Sequence, residues 1–131
     1  MKCLLILPFD ASAKRVRDTV SRILRENEVE PVGLDDAIAV GARWVDEIYG
    51  LLRSCDFVIA DLTRQNPSVI FELGVAHGLG KPFVVLISES ADSQDIPSFL
   101  SGYQFVVYDP ANLSGLAKRL SRVVQSLSRT G

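Results

Sequence analysis

Four short apolar runs, Cys3 to Leu7, Phe57 to Ala60, Pro82 to Ile87 and Phe105 to Tyr108, and one weaker extended segment, Val29 to Leu34, alternate along this chain with stretches whose apolar residues recur every three or four positions. That alternation restricts the fold more than any other feature. An apolar run of four to six residues is too short for a helix and reads as a strand, and uniform apolarity means cover on both faces. A three-to-four spacing reads as a helix packed along one side. The first such helix carries Val16, Val20, Ile23 and Leu24, with Arg15, Arg17, Asp18, Arg22 and Arg25 between them and Ser12 as its expected N-cap. A second carries Trp44, expected as a core anchor, with Ile48, Leu51 and Leu52. The last carries Leu116, Leu120, Val123, Val124 and Leu127.

Strands and helices in strict alternation predict an α/β fold with a parallel sheet and helices on both faces. For five strands the economical topology is flavodoxin-like (Rossmann-like), order 2-1-3-4-5. Ligands in such sheets bind beyond the carboxyl ends of the strands, where the order reverses between strands 1 and 3. The 131 residues are expected to form one domain, with about two-thirds of the unfolded chain's surface buried.

Composition narrows the partners. A net charge of −2 offers no cationic field for nucleic acid. No apolar run approaches the length that spans a bilayer, and the run after Lys2 ends at Pro8 without a cleavage-like site, so neither a membrane nor an export signal is expected. Cys3 and Cys55 have no CxxC or His-paired spacing and read as buried free thiols in a cytoplasmic protein. Nothing calls for a metal.

One segment does not fit a purely structural reading. From Ser68 to Gly80 a helix is apolar almost all round, with Val69, Ile70, Phe71, Leu73, Val75, Ala76 and Leu79, yet it holds a single acidic residue, Glu72. An ionised carboxylate there costs several kcal/mol unless compensated, which marks Glu72 as a candidate for chemistry. Asn66 and Pro67 give an N-cap followed by Pro at N1, which places Glu72 in the second turn, and Gly80 suits the C′ position. The helix's positive end favours the ionised form while apolar burial opposes it. The topology rule gathers around this helix the end of strand 1, Pro8-Phe9-Asp10, and that of strand 3, Asp61-Leu62-Thr63, with the loop that reaches Asn66.

The residues Ala60-Asp61-Leu62-Thr63, Asn66-Pro67-Ser68-Val69, Phe71-Glu72-Leu73-Gly74, Ala76-His77 and Gly80-Lys81-Pro82 resemble the signature of the nucleoside 2-deoxyribosyltransferase-like and TIR-like superfamily. Leu7-Pro8-Phe9-Asp10 and Asp35-Asp36 extend the resemblance over roughly residues 1–87. It implies cleavage or transfer at an N-glycosidic bond of a nucleoside, a nucleotide or NAD, with the glutamate at position 72 as nucleophile or cation stabiliser. It further implies that Asp61 orients the sugar and that Pro8, Phe9, Asp10, Asp36, Thr63 and Asn66 line the pocket. No cofactor is implied; NAD enters as a substrate. Relatives tend to form dimers or larger rings, so a homo-oligomer is expected.

The chain departs from the transferases at two places: Ile48 stands where they carry an aspartate on the preceding helix, and Phe9 is the nearest aromatic to their strand-1 tyrosine. The alternative reading is therefore a TIR-like module that senses a nucleotide, or assembles, without turnover. A receiver or flavodoxin reading is weak. Asp10 stands alone after strand 1 where a receiver has an acidic pair, and Pro8-Phe9-Asp10-Ala11 is no Ser/Thr-rich phosphate loop. Blander roles are also open: Glu72 capped or paired, Asp61 bonding only the next loop's amides, and Thr63 and Asn66 as caps. His77 lies about 140° round the helix from Glu72 and reads as a hydrogen-bonded core histidine. Gly74 and Gly78 read as letting the helix approach a neighbour.

Overall fold

The computed structural model describes residues 1–7, 13–33, 44–63, 67–90 and 105–130, with side chains for all of these except 44–45, 67–68 and 129–130. Strands β1 (Lys2–Ile6), β2 (Glu30–Gly33), β3 (Phe57–Asp61), β4 (Phe83–Ser88) and β5 (Phe105–Tyr108) form one sheet in the order β2-β1-β3-β4-β5. Every neighbouring pair is parallel. Helices α1 (Lys14–Glu26), α2 (Trp44–Ser54), α3 (Pro67–Gly78) and α4 (Ser114–Thr130) complete the flavodoxin-like fold. Element bounds lie within two residues of those expected.

The two faces follow from the period of a strand. Cys3, Leu5, Phe57, Ile59, Val84, Leu86, Val106 and Tyr108 point to one side, where Val16, Val20, Ile23 and Leu24 of α1 and Leu116, Leu120 and Val124 of α4 cover them. The alternate residues Leu4, Ile6, Val58, Ala60, Val85 and Ile87 point to the other side, under Ile48 and Leu52 of α2 and Val69, Leu73 and Ala76 of α3. Both cysteines are buried and free, and burial raises both thiols above the ordinary range.

Helix ends show which sequence signals held. Gly80 has φ +71, its amide donates to His77 O at 3.0 Å, and Lys81 donates to Ala76 O at 2.9 Å. This is the glycine-pivoted C-terminus expected for α3. The same bonding closes α1, with Val29 donating to Leu24 O at 2.8 Å, but there the pivot is Glu28 at φ 61. At the start of α1 it is Ala13, not Ser12, that holds the N-cap position, without a side-chain cap bond. Burial of four apolar residues on one stripe suffices to hold that helix in place.

Two expectations for α3 are overturned. Among the described residues a Cβ built on Gly74 or Gly78 meets nothing within 4 Å, so neither glycine serves close packing against them. His77 is exposed and not a core residue. Both follow from the rotation of the helix, which turns Val69, Glu72, Leu73 and Ala76 inward and leaves Gly74, His77 and Gly78 outside. Trp44's side chain and residues 35 and 36 lie outside the described residues.

Candidate active site

The sheet order reverses between β1 and β3, and the carboxyl ends of those strands are where a parallel sheet receives ligands. Of the residues expected there, Asp61, Thr63 and Glu72 are described. Pro8, Phe9, Asp10, Asp36 and Asn66 lie outside the described residues.

Glu72 occupies the buried stripe of α3 itself. It follows Val69 by three residues, precedes Ala76 by four and adjoins Leu73, and these three pack on the sheet through the core formed with α2. It is only 2 % exposed. Its Oε2 has no hydrogen-bond partner, and no ion pair reaches it among the described residues. Desolvation alone raises its carboxyl to about 7. Such a group is divided between acid and carboxylate at neutral pH, and in its charged form it lacks the compensation that a buried anion ordinarily has. The paired and capping readings of Glu72 therefore find no partner among the described residues.

Asp61 has the opposite character. It is 3 % exposed, and both of its oxygens are occupied: Oδ1 accepts the Thr63 amide at 2.8 Å and Oδ2 accepts the Tyr108 hydroxyl at 2.5 Å. The alternation that sends Phe57 and Ile59 toward α1 and α4 sends Asp61 the same way, to meet Tyr108. Ala60 and Leu62 point instead toward α3. Asp61 and Glu72 thus approach the end of the sheet from opposite faces. Thr63 is half-buried. Its hydroxyl accepts the Ser88 amide at 2.8 Å and lies 3.4 Å from the Tyr108 hydroxyl. Burial and the bond to Asp61 both raise the Tyr108 phenol well above its ordinary range.

Tyr108 and Ser88 were not legible as members of this cluster. Tyr108 is 47 residues from Asp61 and Ser88 is 25 from Thr63, and only the pairing of β3 with β4 and β4 with β5 brings them together. Ile48, where the transferases carry an aspartate, is 1 % exposed in the core beneath α2. No three His, Cys, Asp or Glu side chains among the described residues converge as a metal site. No helix among them is long and apolar enough to cross a membrane.

The sequence model of the nucleoside 2-deoxyribosyltransferases matches residues 7–116, which includes Asp61, Thr63, Glu72 and Tyr108. The chain belongs to the nucleoside 2-deoxyribosyltransferase family. No curated protein matches it in sequence. Among solved structures, a CMP N-glycosidase of Clostridium botulinum, BcmB, superposes with a TM-score of 0.72 at 19 % identity, over 94 % of this chain and 99 % of that one. A 2-deoxyribosyltransferase of Bacillus psychrosaccharolyticus gives 0.62 at 14 % identity, over 89 % and 90 %. The TIR domains of the activated Roq1 resistosome give 0.58 at 11 % identity, over 99 % and 84 %. At such identities these likenesses establish the shared fold, and the family match carries the affiliation with deoxyribosyltransferases. Within that family the reactions are those of the N-glycosidic bond.

Proposed function

We propose that this family member is an enzyme that cleaves or transfers the N-glycosidic bond of a nucleoside or nucleotide, with Glu72 as the working carboxylate. The observation that carries the reading is a buried glutamate on the core stripe of α3 whose Oε2 has no partner among the described residues. A fold gains nothing in stability from such a group, since a leucine or glutamine there avoids the cost of burying a charge. In the proposed reaction a Glu72 oxygen attacks C1′ of the sugar as the C1′–N bond breaks. The base departs with the bonding electrons and takes up a proton, and water or a second base then displaces Glu72 from C1′. Ionised Glu72 equally stabilises the developing oxocarbenium ion without a covalent bond.

The CMP N-glycosidase among the structural neighbours supports a nucleotide as substrate, with NAD and deoxynucleosides as further candidates. Pro8, Phe9, Asp10, Asp36, Thr63 and Asn66 are the proposed lining of the pocket. Asp61, with both oxygens engaged internally, contributes by shaping the turn after β3. The reading includes one domain over residues 1–131, a cytoplasmic location in keeping with two free thiols, and a homodimer or larger homo-oligomer, for which exposed Phe71 on α3 is the supporting feature.

Incubation of the purified protein with CMP, deoxynucleoside monophosphates, deoxynucleosides and NAD, followed by chromatography for free base, tests the proposal. Wild type is expected to release base, and Glu72→Gln to be slower by ~10²-fold or more. Equal release by both proteins overturns the role of Glu72. Ile48 in place of the transferases' aspartate favours the second reading, nucleotide sensing without turnover. Thermal stabilisation by a nucleotide with no base released by wild type would establish it.

A further inference from the structure

The ends of β3, β4 and β5 are joined by side chains as well as by the backbone ladder. Tyr108, on the edge strand β5, donates to Asp61 at the end of β3, and Asp61 accepts the amide of Thr63 in the turn that follows. Thr63 returns the connection to β4 by accepting the Ser88 amide, while Tyr108 O accepts the Glu89 amide at 2.8 Å. The resulting polar ring is largely buried: Asp61 and Ser88 are each 3 % exposed and Tyr108 6 %. Apolar side chains of the same volume at positions 61 and 108 are the cheaper way to fill such a space. A buried network with its members satisfied instead fixes one geometry. Here that geometry is the course of the chain at Leu62 and Thr63, and Leu62 is buried in the same core cluster as Val69 and Leu73, the neighbours of Glu72 on the inner stripe of α3.

We infer that Tyr108 is a positioning residue for the reaction: through Asp61 it holds Leu62 and Thr63 at the end of β3, against which α3 packs, and thereby sets the placement of Glu72 at the sugar. This rests on the glycosidic reading of the site. Tyr108 lies on the α1/α4 side of the sheet, away from the face that carries Glu72, and acts through Asp61 and the adjoining Leu62, which packs with α3. Misplacement of a reacting group by about 1 Å costs up to ~10²-fold in rate, so a modest relaxation of the turn is sufficient to be seen.

The test is Tyr108→Phe, which removes one oxygen, with isosteric Asp61→Asn as a second route should the first variant fold poorly. Both are assayed for base release well below their melting temperatures. A positioning role predicts kcat lowered about tenfold or more with KM within about threefold, and a Tyr108→Phe/Asp61→Asn double variant no slower than Asp61→Asn alone. Unchanged kcat in Tyr108→Phe, with Glu72→Gln inactive, overturns the inference while leaving the proposed function intact. Should wild type release no base from any substrate, the proposed function fails and the inference that rests on it fails too; where base is released, carbon-13 NMR titration of the Glu72 carboxyl is a second readout of its placement. A midpoint lowered in Tyr108→Phe supports the brace. An identical midpoint overturns it.

Discussion

The Thr63 hydroxyl accepts the Ser88 amide at 2.8 Å, so a side chain in the turn leaving β3 satisfies a backbone donor at the end of β4. Replacing Thr63 with Val keeps the shape and removes the acceptor, which strands that N–H in a buried position. The expected loss is about 1–3 kcal/mol. Thr63→Ser retains the oxygen and is expected to cost less. Urea denaturation of the three proteins, read as a change of midpoint at constant slope, checks the difference.

Glu72 makes stability depend on pH in the sense opposite to a salt-bridged acid. Its folded value, about 7, lies above its ordinary 4.5, so between those values the native state holds more protons than the unfolded state. Stability is therefore greatest below pH 4.5, where the group is neutral in both states, and falls as pH rises through 7 and the buried carboxyl must ionise. The magnitude is ~3 kcal/mol by pH 8. Glu72→Gln, which cannot ionise, is expected to melt close to wild type at pH 5 and clearly above it at pH 8. Calorimetry at both pH values decides, and identical differences at the two would contradict the raised value.

The same ionisation governs turnover. An attacking or cation-stabilising Glu72 must be charged, so kcat/KM is expected to rise about tenfold per pH unit below 7 and to level above it. A substrate without a group titrating in that range, such as a deoxynucleoside, gives the cleanest profile. A rate flat from pH 5 to 8 would remove Glu72 from the rate-determining step.

Glu28 closes α1 in the left-handed region at φ 61, where a side chain costs energy and glycine does not. Glu28→Gly is expected to gain about 0.5–1 kcal/mol, since the bonds from Val29 to Leu24 and from Glu28 to Arg25 are made by the backbone. The reverse argument holds in α3. Gly74 sits mid-helix with open space where an alanine methyl would stand, so Gly74→Ala is expected to gain a similar ~0.5–1 kcal/mol. Thermal melts of the single variants test each assignment.

The architecture was legible because it depends on periodicities that the chain carries locally. Apolar runs and one weaker extended segment became β1 to β5, and three-to-four spacing became α1, α2 and α4 with their described apolar residues inward. The apolar helix and its solitary acid were equally plain, and the N-cap and C′ signals placed α3 to within two residues. Where local signals misled on α3, rotation of the helix was the reason: Gly74, Gly78 and His77 face outward.

By itself the sequence determined the strand and helix pattern, the flavodoxin-like order that pattern favours, and the presence of one acid among apolar neighbours, because each is a property of residues within a few positions of one another. Only the tertiary structure decided that, among the described residues, Glu72 is left without a partner for Oε2 while Asp61 has two, and that the second of those is Tyr108. Burial and hydrogen-bond satisfaction are set by what parallel pairing brings from 25 and 47 residues away, and no local spacing encodes them.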